Sequence, residues 1–153
     1  MKTDDKIDSE RNHHFNIPKN ELPKVVVIGA GFAGINFIKQ LQDQPVQVIL
    51  IDQNNFHQFQ PLLYQVAISG LEPDSVVSPI RKLFRSYKNM VYRMANVESI
   101  DTEQKRVNTN VGYVTYDHLI IATGSSTNFY GSKTIEKNSI GSEAREITVS
   151  LLK

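Results

Sequence analysis

A glycine-rich turn between an apolar strand and an amphipathic helix constrains this fold more than any other feature of the sequence. Residues 24–28 form a short β-branched run, typical of a strand buried on both faces of a parallel sheet. Gly29, Gly31 and Gly34 follow directly with the spacing G-x-G-x-x-G. Apolar side chains then recur at helical spacing over residues 35–41. The pattern predicts a strand, a tight turn and a helix.

A second strand completes this unit. Pro45 ends the helix, and an apolar run at residues 46–51 stops at Asp52. Two strands joined by a helix within about 30 residues form a right-handed, parallel crossover. The sequence therefore predicts an α/β fold with a Rossmann-like domain built on a parallel sheet.

The residues of the glycine motif suit a dinucleotide for physical reasons. Gly29 permits the tight turn, Gly31 lets the backbone approach a pyrophosphate, and Gly34 lets the helix lie close to the sheet. The N–H groups of the first helical turn, around Phe32 and Ala33, point at the phosphates, and the helix dipole favours their negative charge. These positions therefore predict a phosphate site.

Asp52 ends the second strand at about the distance expected for a ribose ligand. Its carboxylate can accept hydrogen bonds from both ribose hydroxyls, and its charge would repel a 2′-phosphate, which disfavours NADP here. FAD and NAD fit this fingerprint almost equally well. The alternative without a ligand is a glycine-rich turn with Asp52 as a polar strand end.

The chain beyond Asp52 is less regular. Residues 53–78 have no clear period, and such a long segment in a compact domain is usually functional. Ser78 and Pro79 are expected to open a helix as its N-cap and first residue. The expected apolar face of that helix is Ile80, Leu83, Phe84 and Tyr87. Its charged residues, expected to form a solvated face, are Arg81, Lys82, Arg85 and Lys88.

The pattern changes again from Met90 onwards. Residues 91–100, 106–110 and 113–116 look like short strands separated by polar turns, which predicts a small antiparallel β-meander. A further buried strand at residues 119–122 follows the meander. A last helix is expected to begin at about Ser142.

That further strand ends in the small-residue turn Ala122-Thr123-Gly124. A β-meander followed by a strand with this ending resembles the second signature of the two-dinucleotide-binding flavoproteins. In that superfamily the turn lies against the FAD diphosphate, and a classical NAD domain has no such meander. The resemblance favours FAD over NAD.

One branch of the superfamily is indicated by the segment after Asp52. Residues 55–67, which read NFHQFQPLLYQVA, resemble the corresponding segment of type II (non-proton-pumping) NADH dehydrogenases, as do residues 78–81. The resemblance covers roughly residues 24–153. It implies the N-terminal FAD-binding part of a respiratory-chain NADH:quinone oxidoreductase, in which the flavin takes hydride from NADH and reduces a quinone.

The resemblance also implies a set of cofactor contacts. FAD would be held non-covalently with its isoalloxazine near residues 61–66, whereas the alternative is a packed Ω-like loop. The family often has Thr where Ile68 stands, and His57 is expected to be structural because flavin hydride chemistry needs no such base. No residue is expected to act as nucleophile or metal ligand. The expected cofactor-binding residues are Gly29, Gly31, Phe32, Ala33, Gly34, Asp52, Gln60, Pro61, Leu62, Ala122, Thr123 and Gly124.

Complete members of that family contain further parts that are not expected within these 153 residues. These are a second glycine motif for NADH, a last strand of the FAD domain and a C-terminal membrane-binding segment. The FAD domain is therefore expected to be incomplete at its C-terminus and inactive alone, with peripheral membrane association only through the missing segment. Two alternatives stay open: a free-standing FAD- or nucleotide-binding module, and a fragment of a ferredoxin- or rubredoxin-type reductase.

Composition limits the remaining functions. The absence of cysteine excludes disulfide staples, iron–sulfur ligation and thiol redox chemistry by this chain, and the net charge of +1 offers no field for nucleic acid. No apolar run reaches the roughly 18–20 residues of a membrane span. The expected location is cytoplasmic, and the cytoplasmic face of the inner membrane for a full-length enzyme.

Two domain segments are expected. Residues 1–22 are polar and lack periodicity, which predicts a disordered tail in which His13 and His14 are solvated rather than bound to a metal. Residues 23–153 are expected to form the partial FAD-binding domain.

Overall fold

A computed structural model describes residues 13–125 and 128–138. These residues form two units, the first made of residues 13–55 and Ile80–Thr123, the second of Phe56–Pro79 and the described residues from Gly124 onwards. The strands in chain order are β1 Lys24–Ile28, β2 Gln47–Asp52, β3 Phe56–Gln58, β4 Val77–Pro79, β5 Met90–Met94, β6 Val97–Asp101, β7 Arg106–Thr109, β8 Gly112–Thr115 and β9 His118–Ile121. The α-helices are α1 Phe32–Gln40, α2 Leu63–Ala67, α3 Ile80–Leu83 and α4 Lys133–Asn138.

A parallel sheet organises the first unit. Its strand order is β5-β2-β1-β9, and every neighbouring pair is parallel. Val27 on β1 lies beside Leu50 on β2 and Ile120 on β9. Helix α1 connects β1 to β2, as the spacing of apolar residues predicted. The Rossmann-like α/β fold is confirmed.

Alternation along the strands sends their side chains to two separate apolar layers. Val27 and Leu50 pack with Ile35 and Ile38 of α1, and with Ile80 at the start of α3. The layer on the opposite face contains Val26, Ile28, Ile49, Ile51, Val107, Val114, Phe15 and Ile17. Both faces of the sheet are therefore covered, as a parallel sheet requires.

The meander is confirmed, but its first strand is shorter than expected. Strands β6, β7 and β8 form an antiparallel sheet, whereas β5 pairs in parallel with β2. The predicted strand at residues 91–100 is thus divided between two sheets. The Ala95 N–H donates to the Asp52 carbonyl and closes the parallel pairing, and the Asn96 N–H donates to Oδ1 of Asn110.

The ordered chain begins before Pro23, which corrects the expected boundary of the disordered tail. Phe15 and Ile17 are buried, with 5% and 8% of their surfaces exposed. The Phe15 N–H donates to the Tyr113 carbonyl at 2.8 Å, and Nε2 of Gln47 donates to the Pro18 carbonyl at 2.7 Å. Residues 13–18 are therefore hydrogen-bonded to both the meander and the parallel sheet, while residues 1–12 lie outside the described part of the chain.

This segment makes a prediction for stability. Phe15→Ala is expected to lower the free energy of unfolding by about 2 kcal/mol, less than a central core position because the segment can detach locally. Urea denaturation measures the change. Leu22→Ala is the control, because Leu22 lies between this segment and β1 and is 39% exposed. Equal effects of the two substitutions would show that residues 13–18 do not cover the sheet.

The second unit contains the irregular segment after Asn55. Strands β3 and β4 pair antiparallel, and one-turn 3₁₀ helices at Gln60–Leu62 and Pro73–Val76 flank α2. Leu63, Val66 and Val76 form a small buried cluster. The segment that lacked a sequence period is thus a series of short elements around its own apolar centre.

The predicted helix start at Ser78 and Pro79 is wrong. Both residues belong to β4, where Ser78 lies opposite His57 and Pro79 opposite Phe56. The helix begins at Ile80 and has only four residues. The physical reason is the pairing with β3, which fixes these residues as extended chain and is invisible in the local sequence.

Exposure also revises two apolar predictions. Ile80 and Phe84 are buried, but Leu83 is 37% exposed and lies outside the apolar face expected for it. On β9, Ile121 is 63% exposed, because β9 is an edge strand of the sheet that the described residues form. The four basic residues of the α3 region, Arg81, Lys82, Arg85 and Lys88, are exposed as predicted.

Two remaining expectations concern helices. The helix predicted from about Ser142 lies outside the described residues; the described helix in this region is α4. Within the described ranges, no helix has the length and apolar character needed to cross a membrane.

Candidate functional site

The carboxyl ends of the parallel strands meet at one edge of the sheet in the first unit, where α/β folds usually bind ligands. A cavity of about 240 Å³ opens there. Sites that enclose a whole ligand usually measure about 300–1,000 Å³, so this cavity has room for only part of a ligand of that size. Its lining consists of Ile28, Gly29, Ile51, Asp52, Gln53, Ala95, Asn96, Val97 and Thr123.

Gly29 joins the two predicted glycine-containing turns. Its φ of +103° lies in a region that other residues rarely adopt, and a Cβ here would lie 2.7 Å from the Ala122 carbonyl carbon and overlap its oxygen. The Gly29 N–H donates to Ile51, and the Ala122 N–H donates to Ile28, both at 2.8 Å. The turn after β1 and the turn after β9 therefore lie against each other.

The other two motif glycines differ in what surrounds them. A Cβ on Gly34 would overlap the Gly29 carbonyl oxygen, so the helix can approach the turn only without a side chain there. A Cβ on Gly31 would meet no described atom within 4 Å, and its φ of −74° suits any residue. The fold therefore requires glycine at Gly34, while at Gly31 glycine keeps space open beside the start of α1.

Asp52 already has two hydrogen bonds. One carboxylate oxygen accepts the Ala30 N–H at 2.6 Å, and the other accepts the Asn54 N–H at 2.7 Å. A carboxylate has about four lone-pair sites, so this pattern leaves acceptor capacity on both oxygens. Asp52 can bind hydroxyl groups and also connects the glycine turn to the chain that follows β2.

Tyr92 supports the chain after β2 from within the core. Its hydroxyl donates to the Asn54 carbonyl at 2.7 Å, and the Arg81 guanidinium lies over its ring at 5.2 Å. Burial and the negative charge of Asp52 raise the pKa of Tyr92 to about 12, against the opposing effect of Arg81. The hydroxyl is therefore a protonated donor at neutral pH.

Some predicted site residues lie together at one cavity of the first unit, and others belong to the second unit. Gly29, Asp52 and Thr123 line the same cavity, with Ala122 against Gly29. Gly31, Phe32 and Ala33 form the exposed start of α1, where the described residues supply no side-chain cap. Gln60, Pro61, Leu62 and Gly124 belong to the second unit: the first three form a 3₁₀ turn, and Gly124 has a φ of +71°.

Six residues of the cavity lining were not among the predicted site residues, namely Ile28, Ile51, Gln53, Ala95, Asn96 and Val97. Three of them follow β5, whose place beside β2 was not predicted. The available signal was the pair of strand ends at Asp52 and Met94, since parallel neighbours end at the same edge of a sheet.

The histidines of the N-terminal segment have local roles. Nδ1 of His14 lies 2.8 Å from the Phe15 carbonyl, and its ring meets the Tyr113 ring edge-on with centroids 5.3 Å apart. Across residues 13–125 and 128–138, no group of three or more potential side-chain ligands could hold a metal ion.

Comparison with known proteins identifies the family. The model of the pyridine nucleotide-disulphide oxidoreductase family matches residues 23–148. The type II NADH:quinone oxidoreductase NdhA of Mycobacterium tuberculosis is 35% identical over 113 residues, which are 71% of this chain and 24% of the relative. The chain thus spans about a quarter of the length of the curated relatives that it matches.

Solved structures agree with the fold. NDH2 of Plasmodium falciparum aligns with a TM-score of 0.76 at 24% identity, over 86% of this chain and 28% of that protein. The sulfide:quinone oxidoreductase of Aquifex aeolicus aligns with a TM-score of 0.76 at 28% identity, over 84% of this chain and 30% of that one. The chain belongs to the pyridine nucleotide-disulphide oxidoreductase family, and its homologues there are type II NADH:quinone oxidoreductases.

Proposed function

We propose that this chain is the FAD-binding part of an NADH:quinone oxidoreductase. The observation that carries the proposal is the contact between the Gly29 turn and the Ala122 turn. A Rossmann domain for NAD needs only the first of these turns. Two small-residue turns held together at the carboxyl edge of one parallel sheet favour the FAD of the two-dinucleotide flavoproteins.

The phosphate end of the proposed site is the start of α1. The space beside Gly31 admits a pyrophosphate, and the backbone around Phe32 and Ala33 forms the N-terminus of α1, which is the positive end of the helix dipole. Gly34 keeps the helix close to the turn. The residues present therefore fit the phosphates of a dinucleotide.

The adenosine end is proposed at Asp52. Its remaining lone pairs accept the two ribose hydroxyls, while the cavity beside it takes the sugar and the base. Ala122 and Thr123 are proposed to lie beside the cofactor in this region. We further assign Gly124 to the diphosphate, and Gln60, Pro61 and Leu62 to the flavin ring.

Once bound, the flavin would accept a hydride from NADH and pass two electrons to a quinone. The residues of this chain bind and orient the cofactor in that reaction. No cysteine is present in the 153 residues, so these residues contribute no thiol to disulfide or sulfide chemistry. NADH and quinone would meet the flavin at segments that correspond to the rest of the relatives' length, and the proposed location is the cytoplasmic face of the inner membrane.

Direct titration tests the proposal. The 153-residue protein, refolded with excess FAD and freed of unbound cofactor, is expected to retain flavin absorbance at about 450 nm. AMP should displace FAD more effectively than riboflavin does, because AMP shares the adenosine ribose and a phosphate with FAD, whereas riboflavin shares only the flavin ring and its ribityl chain. Failure to retain any flavin, or displacement by riboflavin but not by AMP, would contradict the site as assigned.

A further inference from the structure

A chain of three hydrogen bonds connects the core of the sheet to the glycine turn. The Tyr92 hydroxyl donates to the Asn54 carbonyl at 2.7 Å, and the Asn54 N–H donates to Oδ1 of Asp52 at 2.7 Å. The other oxygen of Asp52 accepts the Ala30 N–H at 2.6 Å. Four residues from three separate segments of the chain are thereby linked.

Tyr92, at one end of these hydrogen bonds, has a fixed position. Tyr92 lies on β5 with 4% of its surface exposed, in the apolar cluster that contains Leu50, Ile80 and Phe84. Its strand pairs with β2, so its position is fixed relative to the strand that ends at Asp52. Tyr92 can therefore act as a fixed donor.

The Asn54 backbone connects Tyr92 to Asp52. Asn54 is held at both of its backbone groups, since its carbonyl accepts from Tyr92 and its N–H donates to Asp52. Without the Tyr92 hydroxyl, the Asn54 backbone loses one of its two fixed points. The direction of its N–H, and with it the orientation of the Asp52 carboxylate, would then be less restricted.

We propose that Tyr92 is a positioning residue for the nucleotide, which acts through the Asn54 backbone to orient the Asp52 carboxylate toward the ribose. This inference rests on the proposed function, because it assumes that Asp52 receives the ribose hydroxyls. Two backbone donors occupy one lone pair on each carboxylate oxygen and leave the others aimed in fixed directions. Such preorganisation raises affinity because the carboxylate need not be ordered on binding.

A purely structural role for Tyr92 makes different predictions. The hydroxyl would then stabilise the fold, and its loss would weaken every property of the protein together. A positioning role separates ligand affinity from overall stability and depends on the Asp52 carboxylate. The test must therefore measure affinity, stability and coupling in the same variants.

Tyr92→Phe removes the hydroxyl and keeps the ring. We expect the Kd for FAD to rise about five-fold, the scale of one lost hydrogen bond, with a smaller change in the midpoint of urea denaturation. Tyr113→Phe is the matched control, because Tyr113 lies on β8 beside Arg106 and outside the hydrogen-bond chain. Its Kd is expected to stay within about two-fold of the original protein.

A double-mutant cycle tests the path. In the Asp52→Asn background, Tyr92→Phe is expected to change the Kd for FAD by less than about two-fold, because its effect passes through the carboxylate. In the ligand-free protein, Tyr92→Phe should also accelerate amide hydrogen exchange at Asn54 and Ala30 but not at Val107, in the core of the meander.

The outcomes separate the two proposals. Two results would overturn the positioning role alone. One is an equal Kd for FAD in the unsubstituted protein and in Tyr92→Phe; the other is a five-fold rise in this Kd when Tyr92→Phe is made in the Asp52→Asn background. An original protein that binds neither FAD nor AMP overturns the proposed function, and the positioning role with it.

Discussion

Replacing Gly29 with alanine is expected to lower the free energy of unfolding by about 4 kcal/mol. Two independent costs add at this position. A side chain at a φ of +103° is strained, and its Cβ would overlap the carbonyl oxygen of Ala122. The second cost is the larger, because that carbonyl belongs to backbone fixed by the pairing of β9 with β1.

Urea denaturation followed by circular dichroism measures this loss. Gly131→Ala is the matched control, since Gly131 also has a positive φ, +78°, but a Cβ there meets no described atom within 4 Å. It should cost about 1 kcal/mol, the conformational penalty alone. If both variants lose the same stability, the close approach of the two turns does not exist.

The first part of the fold is predictable because its information is local. In residues 24–52 the strand, turn, helix and second strand follow one another along the chain, and each has its own pattern of apolar residues. Close approach is also visible in the sequence, since only glycine fits at Gly29 and Gly34. Local patterns therefore give both the βαβ unit and the glycine turn.

Pairing between distant segments is the part that the sequence does not reveal. Residues 91–100 contain nothing that tells where one sheet ends and the other begins; the division follows from β5 pairing with β2. Phe15 and Ile17 are single apolar residues within a polar stretch, too few to show a period. Their alternation becomes meaningful only beside the meander that they cover.

In the candidate site, too, local sequence predicts some features and tertiary structure determines the others. The acid at Asp52 is predictable from its distance to the glycines, but its two backbone donors are not. One depends on the direction of the Ala30 N–H in the glycine turn, and the other on how the chain turns at Asn54. The cavity lining after β5 was missed for the same reason as the strand itself. A sequence motif thus gives the groups that bind, and tertiary structure gives the groups that orient them.

Gly31→Ala should separate binding from folding. The added Cβ meets no described atom within 4 Å at a φ of −74°, so we expect the stability to fall by about 1 kcal/mol or less, the cost of alanine at an N-cap. The same methyl group would occupy the space proposed for the pyrophosphate. The Kd for FAD should therefore rise about 30-fold or more.

The choice of ligands makes this result specific. Adenosine has the ribose but no phosphate, so its Kd should be the same for Gly31→Ala and the original protein, because Asp52 and the cavity are unchanged. FAD titration and competition by adenosine in the two proteins give both values. If Gly31→Ala binds FAD with an unchanged Kd, the phosphates do not lie beside this glycine. If Gly31→Ala unfolds, the fold itself requires glycine at Gly31. A large loss for FAD with none for adenosine would locate the pyrophosphate at the start of α1.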